Sequence, residues 1–77
     1  MTTERTEVVE RIRAAMEDEG RSMKWTANAA GIAYTTFQRK MNPNGPDFTM
    51  AEVGNIARSL RVAPASLFPS TFKEAAA

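Results

Sequence analysis

The chain contains neither cysteine nor histidine. Without cysteine it can form no disulfide, and without either residue the usual zinc ligand sets are excluded. The commonest general base at neutral pH is missing as well, so the serines lack the partner that would activate a nucleophile. No glycine-rich loop of the phosphate-binding kind is present in the sequence. We therefore expect no enzyme activity, no cofactor and no bound metal.

Long apolar runs are also missing. No segment approaches the roughly 20 apolar residues of a membrane-spanning helix, and the charged stretch 1–13 lacks the apolar core of a signal peptide. A chain of 77 residues that is 43% hydrophobic suits one small folded domain. We expect a single cytoplasmic domain over residues 1–77, with a flexible tail at about 70–77 and no membrane partner.

Acidic residues are absent from one long segment, although the net charge of the chain is only +1. Residues 1–19 carry six acids and three arginines. Residues 20–46 carry no acid and four cations, so this segment is +4 and the rest of the chain is −3. The layout favours a protein that turns one side toward a polyanion. Chance clustering of four cations is the alternative.

Apolar residues at helical spacing, interrupted by turn formers, predict five helices and no strand. Gly20 suits a helix end, Ser22 suits an N-cap, and Gly31 suits a turn with positive φ. Thr49 and Glu52 have the spacing of a capping box. The predicted helices span residues 3–19, 23–30, 34–41, 50–61 and 64–68.

The apolar positions of these helices predict a core. Four of them form a stripe on the first helix, and three from the second helix are expected to face inward. The remainder come from the third, fourth and fifth helices and the turn before the third. The expected core residues are Val8, Ile12, Ala15, Met16, Trp25, Ala29, Ala30, Ile32, Phe37, Met41, Val53, Ile56, Ala57, Leu60 and Leu67.

The third predicted helix carries polar side chains opposite its apolar side. With Phe37 and Met41 buried, helical geometry leaves Tyr34, Thr35, Gln38 and Arg39 on the other side or its flanks. An α-helix fits the DNA major groove, where Gln can bind adenine and Arg can bind guanine with two hydrogen bonds each. A solvated helix surface is the alternative interpretation of these residues.

Ala27, Gly31 and Phe37 have the spacing of a helix-turn-helix, with a small residue, a glycine four later and an apolar residue six after that. The segments "TANAAGIAYTTFQRKM" and "FTMAEVGNIARSLRVAPASLF" resemble the lambda-repressor-like helix-turn-helix family, which includes the Cro and XRE proteins. The resemblance covers about residues 8–68. Thr26 and Lys40 depart from it, because the family usually has apolar residues there, and Ala33 stands where the family often has a Ser or Thr cap.

The resemblance implies an all-α, five-helix DNA-binding domain with its helix-turn-helix at about 23–41. It implies a sequence-specific transcriptional regulator, of the phage Cro repressor type, that inserts helix 34–41 into the major groove of double-stranded operator DNA. The setting would be the cytoplasm of a bacterial host, at the nucleoid. The implied base contacts are Tyr34, Thr35, Gln38 and Arg39. The resemblance adds Lys24, Asn42 and Asn44 as phosphate contacts to the cations Arg21 and Lys40.

A homodimer on an inverted repeat is a possible form, and a monomeric binder stays open. The expected dimer surface is Ala65, Leu67, Phe68 and Phe72, with core packing as the rival explanation for Leu67 and Phe68. No small-molecule ligand is expected. The alternative function is a protein-interaction module, such as an antitoxin or a helix-turn-helix protein that binds a host protein.

Overall fold

The computed structural model describes residues 3–42 and 44–68. This part of the chain contains four α-helices and, near its end, one short 3-10 helix, with no strand among the described residues. The predicted tail at about 70–77, including Phe72, lies outside the described residues. The elements are α1 (Thr3–Glu19), α2 (Met23–Ala30), α3 (Tyr34–Met41), α4 (Met50–Ser59) and the 3-10 helix Pro64–Ser66.

The all-α class is confirmed, whereas the count of five helices is wrong. The fifth predicted element is a three-residue 3-10 helix with Pro64 in its first turn. The fourth helix ends at Ser59, two residues earlier than predicted, because Arg61 has a positive φ of 62°. Its neighbour Val62 donates its N–H to the carbonyl of Ala57 at 3.0 Å, which closes the end of α4.

The predicted helix starts and stops are confirmed where a local signal defines them. Ser22 caps α2 by accepting a hydrogen bond from the N–H of Trp25 at 3.1 Å. Gly31 ends α2 with φ of 74°. At the start of α4, Thr49 and Glu52 form the reciprocal capping box. Ala33 precedes α3 without a side-chain cap.

The core lies between the apolar faces of all four helices, and α2 packs against both α3 and α4. Three of the predicted core positions are not fully buried, and one of them, Trp25, is half-buried against the core. Val9 is buried where Val8 was expected, and Val8 is half-buried. Ala29 is exposed, because the buried face of α2 is formed by Thr26, Ala27 and Ala30. The buried hydrophobic residues are Val9, Ile12, Ala15, Met16, Ala27, Ala30, Ile32, Phe37, Met41, Val53, Ile56, Ala57, Leu60 and Leu67.

Thr26 is the buried polar residue in this core, with none of its surface exposed. Its hydroxyl donates a hydrogen bond to the carbonyl of Ser22 at 2.8 Å. A buried hydroxyl without a partner would destabilise the fold, and this bond removes that cost. Ser22 therefore caps α2 with its hydroxyl and accepts the hydrogen bond of the Thr26 hydroxyl with its carbonyl.

Across the described residues, every helix is too short or too polar to cross a membrane.

Candidate nucleic-acid interface

Helix α3 has two chemically different sides. Phe37 and Met41 are buried, with 0% and 3% of their surface exposed. Thr35, Gln38 and Arg39 are exposed and fall within about 100° of arc on an α-helix. Tyr34 begins the helix about 40° outside this arc, on its flank, and is 37% exposed. We call these four residues, Tyr34, Thr35, Gln38 and Arg39, the α3 face.

The side chains of the α3 face have no hydrogen bond or ion pair with any residue that the structure describes. They offer a phenol, a hydroxyl, a carboxamide and a guanidinium, which between them donate and accept hydrogen bonds. The structure brings together all four residues that the sequence predicts as base contacts. Their hydrogen-bonding groups are available to a ligand.

A second group of predicted contacts lies at the start of α2. Arg21 and Lys24 are both exposed. The guanidinium carbon of Arg21 is 4.1 Å from the ring centroid of Trp25, which is half-buried against the core. The sequence does not predict this contact, because Arg21 precedes the N-cap Ser22 and so lies outside the helical spacing of α2. Trp25 therefore holds one of the predicted phosphate contacts against the body of the protein.

The loop after α3 holds the two predicted asparagines. Asn42 and Asn44 are exposed, and the side-chain oxygen of Asn42 accepts a hydrogen bond from the N–H of Asn44 at 2.9 Å. The N–H of Gly45 donates to the carbonyl of Asn42 at 3.0 Å. A Cβ atom on Gly45 would lie 1.8 Å from the carbonyl oxygen of Arg39. The loop thus folds tightly over the end of α3.

Lys40 lies away from the α3 face. Its side chain is 13% exposed, and its Nζ is 2.6 Å from Oε1 of Glu52 on α4. The same carboxylate oxygen accepts a hydrogen bond from the N–H of Thr49 at 2.8 Å. Burial alone would raise the pKa of Glu52, but the hydrogen bonds from Lys40 and Thr49 and the charge of Lys40 together lower it. A phosphate contact by Lys40 would require this ion pair to open or to be shared.

The predicted dimer residues lie in three different environments. Leu67 is only 2% exposed, so it belongs to the core, which was the alternative to a place in the dimer surface. Phe68 is half-buried against the core, and Ala65 is exposed. Phe72 lies outside the described residues. The dimer surface stays a prediction that rests on Ala65 and Phe68.

The acidic residues of the described chain are concentrated on α1. Glu10, Glu17, Asp18 and Glu19 are exposed, and α1 has no basic residue in its last turn. No group of three or more potential metal ligands forms a metal site within the described residues.

No protein-family model matches the chain, and the comparisons with curated proteins and with solved structures found no match either.

Proposed function

We propose that the protein is a sequence-specific DNA-binding transcriptional regulator, a repressor of the Cro type, in which α2 and α3 form a helix-turn-helix. The α3 face carries this proposal. An α-helix that contacts bases must bury one side against its own protein and expose hydrogen-bonding groups on the other. Helix α3 buries Phe37 completely and exposes Gln38 and Arg39 without described partners.

The connection between α2 and α3 supports the helix-turn-helix. Gly31 adopts the left-handed conformation, which costs glycine nothing. Its N–H donates to the carbonyl of Asn28 at 3.1 Å, and the N–H of Ile32 donates to that of Ala27 at 2.9 Å. Ala27 is fully buried, and its small side chain is compatible with close packing of α2 at this point.

In this proposal the two helices have different roles. Gln38 and Arg39 have the side chains that form two hydrogen bonds to adenine and to guanine. Arg21 and Lys24, at the start of α2, have the charge that phosphates require, and phosphate contacts fix the protein on the duplex. A repressor of this kind blocks transcription by occupying its operator. If it binds as a dimer, the two half-sites lie about 34–36 Å apart.

The first test is selection of bound sequences from a random pool of double-stranded DNA at about physiological salt. We expect an enriched sequence, either an inverted repeat for a dimer or a single half-site for a monomer. Arg39→Ala should weaken binding to that sequence by roughly 1–3 kcal/mol and relax the preference at one base pair. The matched control is Arg13→Ala, which removes an exposed arginine of α1. If Gln38→Ala and Arg39→Ala both leave the affinity unchanged, the assignment of α3 is wrong.

A protein-interaction module, such as an antitoxin or a binder of a host protein, is the second candidate. The observation that favours it is the number of exposed acids on α1, which are Glu10, Glu17, Asp18 and Glu19. The same selection separates the two functions. Weak binding to all sequences, with no enrichment, would favour the interaction module over the regulator.

A further inference from the structure

Lys40 and Glu52 join the last turn of α3 to the first turn of α4, 12 residues later in the chain. We propose that Lys40 is a positioning residue for DNA recognition: by pairing with Glu52 it fixes the orientation of α3, and it does not contact phosphate itself. This inference rests on the proposed function of the α3 face. It differs from the sequence prediction, which grouped Lys40 with the phosphate contacts.

The acceptor of this pair is itself held in place. Glu52 accepts a hydrogen bond from the N–H of Thr49 at 2.8 Å, and its own N–H donates to the hydroxyl of Thr49 at 3.1 Å. These two bonds are the capping box of α4. The carboxylate that receives Lys40 is therefore part of the rigid start of a helix. An ammonium bound to it is fixed relative to α4.

Burial separates Lys40 from the other cations of the predicted interface. Its side chain is 13% exposed and that of Glu52 is 22% exposed, whereas Arg21, Lys24 and Arg39 are exposed residues. Moving the ammonium to a phosphate would leave a half-buried carboxylate without its cation, which is unfavourable. The pKa of Glu52 is lowered despite its partial burial, mainly by the hydrogen bond from Lys40, so its carboxylate is ionised at neutral pH.

The position of the pair links it to the base contacts. Lys40 directly follows Arg39, and both lie in the last turn of α3. Two other contacts hold α3 in place. The ring centroids of Phe37 and Phe48 are 5.6 Å apart, and the backbone of Gly45 lies against the carbonyl of Arg39. An aromatic contact tolerates some rotation of a helix, whereas a short ion pair restricts it. Rotation of α3 would displace the side chains of Gln38 and Arg39 from a base pair.

The test compares variants on the DNA sequence that the wild-type protein selects. Lys40→Met keeps the length of the side chain and removes its charge. Glu52→Gln keeps an oxygen acceptor for the capping box and removes the charge of the partner. We expect each variant to bind the selected sequence about tenfold more weakly, since misplacing a base contact forfeits part of its contribution. Binding to unrelated DNA and the dependence of affinity on salt should not change.

Two further variants serve as controls. Lys40→Arg can retain the ion pair and should restore affinity for the selected sequence. Lys24→Met removes an exposed cation from α2, so it should weaken binding to all sequences and reduce the log–log salt slope by about 0.9. Circular dichroism and thermal melting of each variant report whether the fold is retained, and Glu52→Gln provides the same test if Lys40→Met does not fold.

Three outcomes would overturn the inference. If Lys40→Met lowers the salt slope as Lys24→Met does, while Glu52→Gln strengthens binding, Lys40 contacts phosphate. If both variants bind the selected sequence as the wild type does, the pair has no role in recognition, although the proposed function stands. If the wild-type protein selects no sequence, the proposed function fails and the inference fails with it.

Discussion

The guanidinium of Arg21 lies over the indole ring of Trp25, with 4.1 Å between the guanidinium carbon and the ring centroid. Such a contact contributes about 0.5–1 kcal/mol at an exposed site. Ser22 lies between the two residues in sequence, and its cap on the N–H of Trp25 fixes the start of α2. The backbone cap and the stacked ring together hold the charge of Arg21 at the beginning of this helix, where Lys24 is also exposed.

Replacing Arg21 with alanine should therefore act on DNA binding without regard to sequence. If its charge meets a phosphate, Arg21→Ala lowers the slope of log affinity against log salt by about 0.9 and weakens selected and unrelated DNA alike. The measurement is a titration of both DNAs at several salt concentrations. Arg13→Ala, on α1, is the control and should leave the slope unchanged. An unchanged slope for Arg21→Ala would show that Arg21 does not contact a phosphate.

Two glycines should respond to alanine in opposite directions. A Cβ on Gly45 would lie 1.8 Å from the carbonyl oxygen of Arg39, so the backbone must move, and Gly45→Ala should lower the free energy of unfolding by about 1–3 kcal/mol. Gly54 lies inside α4 with no described atom within 4 Å of the added Cβ. Gly54→Ala should raise that free energy by about 0.5–1 kcal/mol. Urea unfolding of both variants tests the pair, and changes of the same sign would contradict it.

Glycine at position 61 should stabilise the protein. Arg61 has φ of 62°, a conformation that costs a residue with a Cβ about 1–2 kcal/mol and costs glycine nothing. Arg61→Gly should raise the free energy of unfolding by about 1 kcal/mol. Arg58→Gly, inside the last turn of α4, should lower it instead. Denaturant midpoints of the two variants measure the difference, and a loss of stability in Arg61→Gly would show that its side chain contributes more than its backbone costs.

Stability should depend on pH through Glu52. Because the pKa of this carboxyl is lowered in the folded protein, its contribution is present above the ordinary glutamate pKa of about 4.3 and is lost as the pH falls through the lower folded value. The difference in unfolding free energy between wild type and Glu52→Gln should therefore narrow on acidification across this window. Denaturant unfolding at pH 7 and at successively lower pH measures it. A difference that stays constant would show that the charge of Glu52 does not stabilise the fold.

The sequence predicts the bounds of α1, α2 and α3 because each prediction rests on residues within one turn of a helix end. Gly20 and Gly31, both with positive φ in the structure, mark two of these ends. The sequence predicts the end of α4 two residues too late. The reason is the positive φ of Arg61, which residues with a Cβ atom rarely adopt. Local chemistry defines helix ends well when glycine is at the end and poorly when another residue takes its place.

The candidate site also has a part that the sequence predicts and a part that it does not. The α3 face follows from helical periodicity, so its four residues are exposed as the pattern indicates. The partner of Lys40 does not follow from it, because Glu52 is brought near only by the packing of the helices. Thr26 is buried in a core position that its polarity disfavours. Its hydroxyl donates a hydrogen bond to the carbonyl of Ser22, one turn earlier, and this bond offsets the cost of burial. Periodicity predicts which side chains are exposed and not which of them find partners.

Arg11 has a consequence for how the protein unfolds. From the middle of α1 its guanidinium donates a hydrogen bond at 3.1 Å to the carbonyl of Ser66, 55 residues away, and it also pairs with Glu7 one turn earlier. The first helix and the last described element are thereby fastened to each other. Neither can detach without exposing groups on the other, so local fraying at one end is coupled to opening at the other. This one hydrogen bond therefore couples the two ends of the described chain, and its loss should let each of them open more readily on its own.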